Sequence, residues 1–266
     1  MGVILEIVKI ALIVAGAVLG LVYVFQSRLI FFPQKIPDQS RERFKEYGVR
    51  VPSQGCELHG WFVNNTISAT SPLIIYYGGN AEEVSASLWE AEKFRSASFL
   101  FMNYRGYGDS TGRPSEQGIL MDALTVFDWV VAEYGVDPGH VVLMGRSLGT
   151  GVAVHVASER RVAGLILVTP FDSLINVAKS IYPFLPVEKL LRHRFDSLAL
   201  APGMDTPMLA VIADQDEIIP NPNSLTLINA WAGPVETLVV KGAGHNDISQ
   251  FDAYFRGINR FLDTRF

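Results

Sequence analysis

The sequence predicts an α/β fold: a mostly parallel central sheet with helices on both faces, a short helical cap insertion and an N-terminal transmembrane helix. Three observations carry this. From Leu73 onward, short apolar runs alternate with amphipathic stretches, the pattern of parallel strands joined by crossover helices. Val3 to Phe25 is nearly all aliphatic. Val141 to Gly151 (VVLMGRSLGTG) reads as strand, sharp turn and helix, with Ser147 at the apex.

The N-terminal run is interrupted only by Glu6 and Lys9, three residues apart and so on one helical face. With its first turns included it reaches roughly 35 Å as a helix, enough to cross a bilayer. Tyr23, Phe25 and Leu29 to Phe32 mark the far interface. A cleaved signal peptide is the alternative, disfavoured by the length of the apolar run and the lack of a positive n-region. Arg28, Lys35, Arg41, Arg43 and Lys45 follow the span, so the positive-inside rule places the large domain in the cytoplasm. The expected organisation is an anchor over 1–27, a proline-broken connector over 28–46 and one domain over 47–266.

Within that domain, Val49–Pro52 and Glu57–Val63 form a hairpin around Ser53-Gln54-Gly55. Leu73–Tyr77 is a buried strand, Ala81–Arg95 a helix, and Phe99–Tyr104 a strand. Glu116–Glu133 is a long helix with Ile119, Leu120, Ala123, Leu124, Phe127, Val130 and Val131 on its apolar side. After the Ser147 turn come a strand at Leu165–Val168 and the proline-interrupted insertion at about 171–203, the cap. A strand at Met208–Ile212, a helix near Ser224–Trp231, a strand at Thr237–Val240 and a helix at Ile248–Leu262 complete the series.

The chain has 266 residues, 49% apolar and 18% charged, with a net charge of −5. No basic tract offers phosphate neutralisation, so nucleic acid is not an expected partner. Cys56 is the only cysteine, which excludes an internal disulfide and a cysteine zinc cluster. No cofactor and no metal is implied, and a monomer is expected.

In an open parallel sheet, reactive groups gather where strands end. Ser147 follows one such end, Asp214 and Asp216 another, His245 a third, and Gly78-Gly79-Asn80 a fourth. The order serine, acid, histidine suits a hydrolase in which His245 takes the proton of Ser147 and a carboxylate orients the imidazole. Backbone N–H groups of Leu148 and Asn80 are the candidate oxyanion donors, each typically worth ~3 kcal/mol. The residues alone leave Asp214 and Asp216 both open as the acid.

Four segments carry a family resemblance: Tyr23–Pro33 (YVFQSRLIFFP), Tyr104–Ser110 with Gly112–Glu116, Gly145–Gly149 and Gly242–Asp247. Together they resemble the Bem46-like group of membrane-anchored hydrolases within the alpha/beta-hydrolase superfamily, which includes the alpha/beta hydrolase domain-containing types 12, 13 and 17. The resemblance implies the alpha/beta-hydrolase fold. It also implies Asp216 as the acid, because the family's acid sits in an Asp-x-x-x-Pro turn that Pro220 completes. The family's oxyanion loop usually reads His-Gly-Asn; here Gly78 stands in the histidine's place, which implies a different acceptable acyl shape.

The expected activity is therefore a membrane-anchored serine hydrolase cleaving an ester or thioester of a lipid-like or acylated substrate, small molecule or protein, at the bilayer. A peptidase or amidase on the same fold and a non-catalytic membrane scaffold are the alternatives. Gly79, Arg146, Tyr182 and Phe184 are candidate substrate contacts; Arg146 either faces the acyl entrance or pairs with an acidic neighbour. Asp172 reads as a capping or loop-ordering residue with an alternative role as the acid, and Tyr104, Arg105 and Asp109 as braces of the loop after their strand, the alternative being contact with a charged substrate. His59, His140, His155 and His193 are given no role. Gly106 and Gly108 lack the lysine-serine or lysine-threonine pair of a phosphate loop.

Overall fold

The computed structural model describes residues 2–63, 72–94 and 97–266. One long helix, α1 (Gly2–Ile30), leads into a connector bearing α2 (Asp38–Arg43). The hairpin is β1 (Gly48–Ser53) and β2 (Cys56–Val63), closed by Gln54 and Gly55 at φ 47° and 73°, the left-handed pair a tight two-residue turn requires. Then follow β3 (Leu73–Tyr77), α3 (Ser85–Leu88), β4 (Ser98–Met102), α4 (Glu116–Tyr134), β5 (Val141–Arg146), α5 (Leu148–Glu159) and β6 (Gly164–Val168). The cap comprises α6 (Leu174–Ile181), α7 (Val187–Leu190) and α8 (Ser197–Leu200). The chain closes with β7 (Met208–Ala213), α9 (Asn221–Ala230), β8 (Val235–Val240) and α10 (Asp252–Asp263).

The strands form one 8-stranded sheet in the order β1-β2-β4-β3-β5-β6-β7-β8. The β1/β2 and β2/β4 pairs are antiparallel and every other pair is parallel. Alternation along each strand builds two cores. Leu73, Ile75 and Tyr77 join Ile119 and Phe127 of α4 and Val152 of α5 on one face. Ile74 and Tyr76 join Ile258 and Phe261 of α10 on the other. Strands buried on both faces read as unbroken apolar runs, which is why β3 and β5 are so plain in the sequence.

Two segments differ from expectation. The helix expected over Ala81–Arg95 is reduced to α3 and a single 3-10 turn at Ala91–Lys93, and Arg95 lies outside the described residues. The reason lies in its acids. Glu82 accepts from Tyr76 Oη, Ser87 Oγ and the Gly79 N–H, and Glu83 accepts from Asn103 Nδ2 and Ser85, so both carboxylates are drawn inward. Bonds of that kind compete with a regular helical ladder.

The second difference is at the N-terminus. Helix α1 continues to Ile30, past the expected boundary at residue 27, and its last turn docks on the cap. Gln26 is buried; its Nε2 donates to Leu190 O (3.1 Å) and its Oε1 accepts from the Arg192 N–H (2.7 Å). Ser27 Oγ lies 2.8 Å from His193 Nε2, and Phe31 packs edge-on against His193 and Phe195. The rest of α1 leaves the domain, with an 18-residue window of mean hydropathy 2.5 of which none is buried. Its length and composition are sufficient to cross a membrane.

Candidate active site

The turn at Ser147 is dictated by its neighbours. Ser147 adopts φ 50° and ψ −118°, a backbone conformation that non-glycine residues rarely hold. A side chain at Gly145 would meet Gly149 O at 2.3 Å, and one at Gly149 would meet Tyr77 O at 2.0 Å. Only glycines let α5 turn back this tightly on β5 and β3. The turn is pinned by the Ser147 N–H to Val168 O (2.9 Å) and by Thr150 Oγ1 donating to Ser147 O (2.7 Å).

The turn brings Ser147 to His245. Nε2 of His245 lies 3.0 Å from Ser147 Oγ, and Nδ1 lies 3.0 and 2.9 Å from the two carboxylate oxygens of Asp216. With the ring proton on Nδ1, that nitrogen donates to Asp216 and leaves Nε2 to accept from the serine hydroxyl. The His245 and Asp216 side chains are 4% and 2% exposed, so the pair is shielded from water. Asp216 is itself held by the N–H groups of Ile218 (2.9 Å) and Ile219 (2.8 Å), the turn that ends at Pro220. The His245 loop is held by its own N–H to Glu217 Oε2 (3.1 Å) and by the Gly244 N–H to Asp247 Oδ1 (2.7 Å). Asp214, the other candidate acid, points elsewhere: it pairs with Lys241 Nζ (3.1 Å) and accepts from the Gly242 N–H.

Beside Ser147 lies the Gly78-Gly79-Asn80 loop; a Cβ on Gly79 would sit 3.8 Å from Ser147 Cβ. Leu148 opens α5, where the first backbone N–H groups have no acceptor within the helix. The loop is braced from below. Tyr104 Oη donates to Gly78 O (2.8 Å), Glu82 Oε2 accepts from the Gly79 N–H (2.7 Å), and Tyr107 Oη donates to Asn80 O (2.6 Å). Burial, then the Glu82 carboxylate, holds the Tyr76 phenol well above its ordinary range, so Tyr76 remains a donor to Glu82. A Cβ at position 78 would meet Val84 Cγ1 at 2.9 Å and Glu82 Cδ at 3.3 Å, so a larger residue there requires those two side chains to shift.

Ser147, His245, Gly79, Asn80 and Glu82 line a cleft of about 610 Å³. One wall is the connector after α1 (Phe32, Gln34, Lys35 and Pro37); the others are the Gly79–Glu83 turn, Arg146, Ile218 and the His245-Asn246 loop. Arg146 resolves as a brace: it lies 3.4 Å from Glu82 Oε2 and donates to His245 O and Asn246 Oδ1 at 3.3 Å, tying the two loops together. Gly79 lines the cleft, but its N–H is taken by Glu82. Tyr182 and Phe184 are not brought to the cleft. Pro183 follows the C-cap of α6 and Pro186 caps α7, and the tip between them projects outward, leaving Phe184 86% exposed.

Asp172 is buried and orders the base of the cap, accepting from Ser173 N–H, Asn176 Nδ2 and Asn223 Nδ2. Arg105 pairs bidentately with buried Asp122, and Asp109 with Arg41. Among the described residues no group of three or more His, Cys, Asp or Glu is disposed to hold a metal ion. Sequence reasoning missed Glu82, Tyr107, Gln26 and His193. Gln26 and Tyr107 lie within the segments that carry the family resemblance, and Glu82 has a local signal of its own: it stands three residues after Gly79, the reach of a side chain closing a turn on a backbone N–H.

Residues 72–186 match the alpha/beta hydrolase fold family. An uncharacterized protein of Mycobacterium tuberculosis is 37% identical over 265 residues, 97% of this chain and 94% of the relative. Alpha/beta hydrolase domain-containing protein 17B of Xenopus laevis is 32% identical over 216 residues, 79% of this chain and 72% of the relative. Among solved structures, a Pyrococcus furiosus esterase superposes with a TM-score of 0.71 at 16% identity, covering 89% of this chain and 99% of that one. Est1E of Butyrivibrio proteoclasticus, solved with ferulic acid, gives 0.65 at 15% identity, covering 82% and 98%.

Proposed function

The chain belongs to the alpha/beta-hydrolase family, and on that premise we propose that it is a membrane-anchored serine hydrolase cleaving a carboxylic ester or thioester of a lipid-like or acylated substrate. The observation that carries this is the unbroken hydrogen-bonded series Asp216–His245–Ser147, buried at the acid and base and open to the cleft at the serine. Ser147 Oγ attacks the acyl carbon as its proton passes to His245 Nε2, and Asp216 stabilises the imidazolium. The N–H groups of Leu148 and Asn80 receive the oxyanion. His245 returns its proton to the departing alcohol or thiol, leaving Ser147 acylated. Water, deprotonated by the same nitrogen, then releases the acid and restores the serine.

The anchor narrows the substrate class. Phe32, two residues beyond α1, is half exposed and lines the cleft beside Ser147, so the reaction centre opens within a few residues of the helix end. That proximity favours substrates presented by a bilayer. The basic residues after the helix favour the cytoplasmic face. A fluorophosphonate probe tests the core of the reading: the parent chain labels stoichiometrically, and Ser147→Ala does not. Equal labelling of Ser147→Ala refutes it.

A further inference from the structure

Among the described residues, the cap tip Tyr182–Leu185 is the most exposed apolar feature of the domain outside α1. Ile181, Tyr182, Phe184 and Leu185 are 47%, 52%, 86% and 43% exposed, and none lines the cleft at Ser147. Leaving such side chains in water costs free energy that a soluble surface ordinarily avoids by burying them. The tip is also fixed in place rather than trailing. Leu185 N–H bonds to Tyr182 O, Val187 N–H to Leu185 O, and α7 follows at once.

What lies next to it identifies its occupant. The residues at the end of α7, Leu190 and Arg192, are the ones bonded to Gln26 of α1. The Arg192 guanidinium stacks over the Tyr23 ring at 5.1 Å. Tyr23 lies three residues before Gln26, about 4.5 Å along the helix axis. A tyrosine capped by an arginine at the end of an apolar helix is the composition of a membrane–water interface. The cap therefore meets α1 at the depth where the helix enters the lipid. Residues 174–194 carry four basic side chains, Lys179, Lys189, Arg192 and Arg194, against one acidic, Glu188. That balance suits the negative surface of a cytoplasmic leaflet.

We propose that the cap tip, with Phe184 at its apex, is a second membrane contact. It inserts shallowly into the interfacial layer beside α1 and holds the mouth of the cleft against the lipid surface. This rests on the reading of α1 as a membrane anchor. A single helix leaves α1 and the domain docked on it free to tilt and rotate in the bilayer; a second apolar contact fixes that orientation, as interfacial segments with basic flanks do.

The test uses the full chain in a Cys56→Ser background, reconstituted in phosphatidylcholine–phosphatidylserine vesicles. An environment-sensitive fluorophore is placed singly at Phe184→Cys, at Leu12→Cys within α1, and at Glu133→Cys on the far end of α4. Nitroxide lipids carry the quencher either near the headgroup or deep in the chain. The expected result is strong quenching at 184 by the shallow nitroxide, at 12 by the deep one, and none at 133. A quenched position 12 with an unquenched position 184 overturns the cap contact alone. An unquenched position 12 overturns the anchor reading beneath it. Position 184 unquenched by lipid but self-quenched between labelled copies, with that self-quenching lost on dilution of the protein in lipid, assigns the tip to a second copy of the chain and overturns the proposal. As an independent readout, Phe184→Ser with Leu185→Ser lowers turnover of a vesicle-borne ester at least fivefold and leaves a water-soluble short-chain ester unaffected. An equal effect on both overturns it.

Discussion

Tyr107→Phe probes how the fold aims the oxyanion loop. The ring is fully buried, and the phenylalanine keeps its packing against Tyr104. What it removes is one hydroxyl with two partners: Oη donates to Asn80 O at 2.6 Å and accepts the Phe32 N–H at 3.1 Å. A group left unpaired in a dry interior costs ~1–3 kcal/mol, but both partners lie on the cleft wall, where water can replace part of what is lost, so a total loss of about 1–2 kcal/mol in stability is expected. The catalytic effect follows separately. Losing an oxyanion donor outright costs ~3 kcal/mol of barrier, and Asn80 here is loosened rather than removed. Half of that corresponds to roughly a tenfold fall in kcat. KM for a short soluble ester stays within about twofold, since the cleft walls other than Asn80 and Phe32 are untouched. Urea melts and initial-rate kinetics on the same preparation measure both. A variant that loses stability but keeps the parent kcat refutes the assignment of Asn80 to the oxyanion site.

Three further outcomes are expected. Asp216→Asn lowers kcat by about 10⁴ through the wrong histidine tautomer, whereas Asp214→Asn changes it less than twofold, because Asp214 faces Lys241; steady-state kinetics compares them. Gly149→Ala places a methyl 2.0 Å from Tyr77 O and destabilises the domain by more than about 3 kcal/mol, read as lost soluble yield or a lowered Tm. Burial, then Arg192, lowers the pKa of His193, whose neutral ring bridges Ser27 and Glu116. The unfolded chain therefore binds this proton more readily. Stability is full above about pH 6.5 and falls as pH drops from there toward the lower folded value, by at most ~1.4 kcal/mol per pH unit. Thermal melts from pH 7.5 to 5 show a flatter acid limb for His193→Gln.

What the sequence discloses is what local rules encode. Gly145 and Gly149 flank Ser147 because a strand-to-helix turn this tight tolerates no Cβ, and that spacing is visible in five letters. The choice between Asp214 and Asp216 is not local. Both sit in one turn; the Asp-x-x-x-Pro resemblance points to Asp216, and the tertiary fold separates them, with His245 on Asp216 and with Lys241 and Gly242 beside Asp214. The segment after Gly79 has helical composition, yet its acids are drawn to Gly79, Asn103 and Tyr76 by the tertiary fold. The docking of Gln26 and Ser27 on residues 190–193 spans more than 160 positions and leaves no periodic mark. Tyr182 and Phe184 are apolar in the way pocket linings are, and only the prolines between and after them hint that they turn outward.

The central claim is that turnover passes through an acyl group on Ser147. Rapid-quench mixing with a p-nitrophenyl ester, followed by peptide mass mapping, tests it directly. The expected result is a burst of one nitrophenol per chain and an acyl mass on the peptide containing Ser147, both lost in His245→Ala. An acyl group on another residue, or turnover at the parent rate in Ser147→Ala, would contradict it.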